Sequence, residues 1–284
     1  MIKKILIWTF AFLFTVAIAY FQRVTGPTYP LTGNVNYNQN EISYKFLRSE
    51  NTGTDLQIQI DFPDTAINAE VIWKRYKSND SWTREQMLRN KNGFNTALSS
   101  QPPAGKLEYY VEIRIDENVI RLPEKENVVA RYKGKVPLTI LILHVIAMFG
   151  AMLFSTRTGL EFFKKEPKLK KLTWITIGLL AVGGLILGPI VQKYAFDAYW
   201  TGWPFGHDLT DNKTAVALIG WIVALTMYKR SKYPKRWALA AAIILLAVYL
   251  IPHSVLGSEI DYTKQDNKKT ISKEITKEQI PQKL

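Results

Sequence analysis

The sequence predicts a membrane α-helical bundle with an all-β sandwich inserted between its first and second spans. Three observations carry that prediction. Apolar residues gather in blocks at residues 5–20, 136–155, 172–190, 215–228 and 237–257. A helix needs about 20 such residues to cross a bilayer core of roughly 30 Å. Between the first two blocks, apolar and polar residues alternate with the period of a β-strand. Basic residues cluster in two short connections, as they do on the cytoplasmic side of membrane proteins. Whole-chain averages conceal this pattern. A hydrophobic content of 47% and a mean hydropathy of −0.06 would suit a soluble protein, because the polar insert balances the apolar blocks.

The first element, residues 1–22, opens with Lys3 and Lys4 and continues into an unbroken apolar run. Its length suits a retained anchor, while Ala17-Ile18-Ala19 fits a small-residue cleavage site, so both anchor and signal peptide are open. Either one exports the polar insert behind it.

Residues 23–135 form the predicted extracytoplasmic β-sandwich. The stretches "ISYKF", "LQIQI", "VIWKRY", "LEYYVEIRI", "NVIRL" and "NVVARY" read as strands. In the fourth, Leu107, Tyr109, Val111, Ile113 and Ile115 share one face. Turn clusters rich in Asn, Gly, Pro and Asp separate them, and about 100 residues is the size of such a module. Tyr76, Trp82 and Arg84 are candidate exposed contacts for a sugar or peptide. Burial in the core or over a sheet edge is the simpler fate of Trp73 and Trp82.

The segment "LSSQPPAGKLEYYVEI" resembles the loop-and-strand region of fibronectin type III and immunoglobulin-like domains, with Tyr109 matching the tyrosine of the corner type. The resemblance covers about 90 residues. The whole chain also resembles an uncharacterised family of bacterial multi-pass membrane proteins that begin with an anchor followed by "YFQRVTGPTYP". That resemblance implies an inner-membrane location and no particular activity.

Four spans are predicted in residues 136–257. The connection 156–171 carries Arg157, Lys164, Lys165, Lys168, Lys170 and Lys171, and "KRSKYPKR" at 229–236 holds no acid. Both belong in the cytoplasm, along with the N-terminus. The sandwich, the loop 194–212 and the tail 258–284 then lie outside. Much of the net charge of +13 therefore orients the protein in a lipid bilayer, which argues against a nucleic-acid partner. The tail alternates lysine with acid and reads as solvated and flexible.

Within the spans, Gly184 and Gly188 form a GxxxG pair, and Ala147 and Ala151 repeat the spacing; both suit close packing of helices, inside one molecule or in a dimer. Pro189 is expected to kink or end the third span.

The chain has three histidines and no cysteine, so disulfides, iron–sulfur clusters and cysteine zinc sites are excluded. His144 and His253 fall on the outer half of the bundle and could ligate a haem b or a divalent metal. His207, Asp208 and Asp211, with Asp197, could add metal ligands from the loop "YWTGWPFGHDLTDNKT". The competing account makes this loop an interfacial aromatic belt and the acids a helix cap. No phosphate-binding, nucleophile-elbow or zinc-protease motif occurs. The sequence therefore points to a non-enzymatic binding or scaffold role among membrane-complex subunits, with a haem- or metal-binding redox role as the alternative.

Overall fold

The computed structural model describes residues 2–37, 40–62, 67–115, 117–206, 208–252 and 257–267. The chain divides into two compact units: residues 1–29 with 135–258, and residues 30–134 with 259–284.

The first unit is helical. It contains α1 (Ile2–Thr25) and α2 (Leu138–Gly159), the latter running on as a 3-10 turn at Leu160–Phe163. Then come α3 (Leu169–Leu180), a π-helical segment (Ala181–Leu187) and α4 (Gly188–Phe196), which together make one continuous rod. The unit closes with α5 (Leu209–Arg230) and α6 (Pro234–Leu250). Among the described residues, three helical stretches are long and apolar enough to cross a membrane: Ile2–Thr25, Leu138–Phe163 and Leu169–Phe196. The exposed surface agrees with that, because Ile5, Leu6, Ile142, Ile146, Ile186 and Ile219 all point outward. Water would oppose so much exposed aliphatic surface; acyl chains would not.

Ala151, Met152, Leu180, Ala217, Trp221 and Leu245 form the shared core of the bundle. Small residues let the backbones close in, as the spacing predicts. A Cβ built on Gly183 would lie 2.9 Å from the Ala147 Cβ, and one on Gly184 would overlap Thr214 Cγ2. The GxxxG face is therefore used inside the molecule, against α2 and α5. Pro189 does not end its helix. It sits in the first turn of α4, directly after the π segment. A proline ring collides with the carbonyl four residues earlier, and the wider π turn spaces that carbonyl away.

The second unit is a two-sheet β-sandwich. Its strands are β1 (Leu31–Tyr37), β2 (Asn40–Phe46), β3 (Ser49–Asn51), β4 (Leu56–Asp61), β5 (Ile67–Arg75), β6 (Thr83–Gln86), β7 (Leu88–Arg89), β8 (Gly93–Leu98), β9 (Lys106–Ile115), β10 (Asn118–Leu122) and β11 (Val128–Lys133). One sheet runs β1-β2-β4-β8-β7 and the other β3-β11-β9-β5-β6, with β10 also on β9. The cores of these sheets, β2-β4-β8 and β6-β5-β9-β11, follow the strand order of immunoglobulin-like sandwiches. Strands β10 and β11 behave as one interrupted strand. Leu122 pairs with Val111 and Val128 with Tyr109, so residues 123–127 bulge out opposite Tyr110 alone.

Ile42, Phe46, Ile58, Ile60, Val71, Val111 and Ile113 fill the space between the sheets. Tyr109 is fully buried, and its hydroxyl donates to the Leu47 carbonyl at 3.0 Å. Tyr109 thus latches β9 to the β2–β3 connection, far away in sequence, and does not make the bond to backbone a few residues upstream that defines a tyrosine corner.

The tail differs from expectation. Residues 262–267 are helical, and Tyr262 is buried on the sandwich. The Ile260 N–H donates to the Ala104 carbonyl (3.1 Å) and the Thr263 N–H to the Lys77 carbonyl (3.2 Å). Glu259 pairs with Lys77 and Lys106, and Asp266 pairs with Arg75 at 2.7 Å. The charges that make this segment look solvated are matched by charges on the strands and turns beneath it.

Candidate functional site

The loop between α4 and α5 is tied to the first turn of α5 by side-chain carboxylates. Asp208 is the N-cap, and its Oδ1 accepts the Thr210 N–H at 2.8 Å. Its Oδ2 accepts from the Ser258 N–H and hydroxyl, both at 2.8 Å, and from the Thr201 hydroxyl at 3.1 Å. Burial opposes its ionisation, yet these donors prevail and hold the carboxyl below its ordinary value. Asp211 Oδ2 accepts the N–H groups of Thr201 (2.7 Å) and Gly202 (3.0 Å). A Cβ on Gly202 would come within 2.6 Å of the Asp211 Cβ, so only glycine allows this approach. Asn212 Oδ1 accepts the Trp203 N–H at 2.8 Å. Tyr199, Trp203 and Phe205 are exposed, as side chains of an interfacial belt are.

Behind this loop, the other face of α5 lines a cavity of about 300 Å³ inside the bundle. Its walls come from Gln22 of α1, Leu141 to Phe149 of α2, Leu180, Val191, Thr210 to Ala217 of α5, and Val248 and Tyr249 of α6. His144 Nδ1 lies 2.9 Å from the Gly183 carbonyl in the π segment. A carbonyl can only accept, so Nδ1 carries the proton and Nε2 keeps its lone pair. The Tyr249 hydroxyl donates to the Met148 carbonyl, and Gln22 Nε2 to the Tyr249 carbonyl, each at 2.7 Å. Lys213 is 7% exposed, and its ammonium donates to the carbonyls of Ile251 (2.9 Å) and Pro252 (3.4 Å) just past the end of α6.

The structure separates the predicted site residues. Asp208 and Asp211 converge on Thr201, where protein donors occupy them. Asp197 stands apart, exposed at the end of α4 and paired with Lys193 at 2.6 Å. His144 faces the cavity. His207 and His253 lie outside the described residues. Among the described residues, no group of three His, Cys, Asp or Glu is placed to hold a metal ion.

Sequence reasoning misses Lys213, because it absorbs that residue into the cap. The available signal is a lysine at the start of an apolar helix, after a connection that is acidic and aromatic where the other two are basic.

On the sandwich, Trp82 is 40% exposed and meets Tyr110 edge-on at 5.5 Å. Lys74 lies over the Trp82 ring and Arg121 over the Tyr110 ring. Trp73 packs against the core and donates to Glu85.

Together these features define a membrane protein with apolar helices and an immunoglobulin-like sandwich. Comparison with protein-family models, curated proteins and solved structures finds no match.

Proposed function

We propose that the chain is a non-enzymatic scaffold of the bacterial inner membrane. All four C-terminal spans cross the membrane, the N-terminus is cytoplasmic, and a fibronectin type III-like sandwich is presented outside to subunits of an envelope complex. The observation that carries this reading is the insertion of the sandwich between two helices long and apolar enough to cross a membrane. The exposed Trp82–Tyr110 pair with its flanking cations supplies a contact face of the kind used in recognition.

The lack of native cysteine gives a direct test. Ser81→Cys should react with a membrane-impermeant maleimide in intact cells, and Lys168→Cys only after lysis. A photo-crosslinker at Trp82 should then capture neighbours that Tyr110→Ala loses. Labelling of Ser81→Cys only after lysis would overturn the orientation. A capture pattern indifferent to Trp82 and Tyr110 would overturn the contact face. The haem or metal alternative uses His144 Nε2 as a ligand, and it requires a Soret band or bound metal that His144→Ala loses.

A further inference from the structure

The cavity combines apolar walls with one buried cation, and that combination defines a ligand. We propose that it binds the anionic head group of a single-chain acyl lipid, with a phosphate or carboxylate oxygen on Lys213 and the chain against Leu141, Val145, Met148 and Val248.

The argument starts from donor counting. An ammonium has three N–H groups. Two of those on Lys213 reach the Ile251 and Pro252 carbonyls, and the third has no acceptor among the described residues. A buried charge without full pairing is costly, so the site favours an anion. Among the described residues that line the cavity there is no carboxylate. Asp208 attracts Lys213 only through space, and both it and Asp211 are engaged by Thr201, Gly202, Thr210 and Ser258.

The walls then select the rest of the molecule. A free inorganic anion would pair with Lys213 but leave the aliphatic walls bare, whereas an acyl chain covers them. The volume of about 300 Å³ is at the lower end of ligand pockets, which suits one chain and its head group. His144 Nε2, with its lone pair free, accepts from a hydroxyl next to the head group. Most of the lining lies toward the end of the bundle where α1 finishes and α2 begins, with Phe149 and Leu180 near mid-depth, so the ligand is drawn from one leaflet.

The test uses the full chain in dodecyl maltoside, titrated calorimetrically with dodecyl phosphate and separately with inorganic phosphate. Dodecyl phosphate should bind saturably. Lys213→Gln should weaken it by about ten- to a hundredfold, the loss of one hydrogen bond to a charged group. Lys213→Arg should retain binding. Val248→Trp keeps the ammonium and fills the cavity, and it should abolish binding with the thermal unfolding midpoint retained. The proposal fails if inorganic phosphate binds as tightly as dodecyl phosphate. It fails equally if Lys213→Gln binds like the parent, or if Val248→Trp binds unchanged.

Discussion

Removing the Tyr262 ring should release the tail from the sandwich more effectively than removing the Glu259 charge. Tyr262 is 3% exposed, with the Arg75 guanidinium 4.6 Å from its ring centre and its hydroxyl bonded to Gln101. A buried aromatic covers about 150–250 Å², which at about 25 cal/mol per Å² gives an upper bound of roughly 4–6 kcal/mol. A free tail already hides about 10–40% of that surface, which leaves about 2.5–5 kcal/mol. Glu259 makes two ion pairs, but the Lys77 side chain is half exposed and screened, so the charge contributes about 1 kcal/mol. Hydrogen exchange reads both at the Ile260 and Thr263 amides, whose acceptors are on the sandwich. Tyr262→Ala should lower their protection about 70-fold or more, and Glu259→Gln about fivefold. A larger loss in Glu259→Gln than in Tyr262→Ala would refute the view that burial, not charge, holds the tail.

Acid should also loosen the tail. Burial resists ionisation of Glu259, but Lys106 and Lys77 outweigh it and hold the carboxyl below its ordinary value. A lowered value means that the contribution is complete above about pH 4.3 and fades as pH falls through the docked value. Anisotropy of a probe on Gln265→Cys should drop there, whereas in Glu259→Gln it should start lower and lose this pH dependence. In the bundle, Gly184→Val drives a side chain into Thr214 and should cost about 1–3 kcal/mol. Gly178→Ala, with nothing within 4 Å, should leave detergent melts unchanged or slightly raised. Tyr109→Phe removes the bond to the part-buried Leu47 carbonyl at about 1 kcal/mol, a fall of a few degrees in the sandwich midpoint on differential scanning calorimetry.

Strands are legible in the sequence where the alternation is dense. Leu107 to Ile115 and Leu56 to Ile60 place every second residue in the core, and periodicity alone reveals that. Strands β1 and β8 escape such a reading. Leu31 and Val35 alternate around Gly33, Asn34 and Asn36, which carry turn preferences, and "GFNTAL" has too few apolar residues to stand out. Their pairing with β2 and β4 makes them strands, and pairing is a tertiary fact. The tail is misjudged for a related reason. Glu259 and Asp266 look solvated until Lys77, Lys106 and Arg75 are brought beneath them from far earlier in the chain. The partner of His144 is hidden as well, because the Gly183 carbonyl comes within reach through a π segment that no residue pattern announces.

The loop and the cavity are two faces of one helix turn. Asp208, Asp211 and Asn212 fall on one side of α5, and Thr210, Lys213, Thr214 and Ala217 on the other, by the i, i+3, i+4 spacing of a helix. The first set binds Thr201, Gly202 and Trp203, and so immobilises a turn that would otherwise fray. The second set inherits that rigidity. A lysine on a fraying turn would swing its ammonium toward water, as lysines at span ends do. Held by the carboxylates behind it and by the Ile251 and Pro252 carbonyls ahead, Lys213 stays inside. The capping residues of "DLTDNKT" therefore do more than end a helix: they hold the turn from which Lys213 reaches the Ile251 and Pro252 carbonyls beside the cavity.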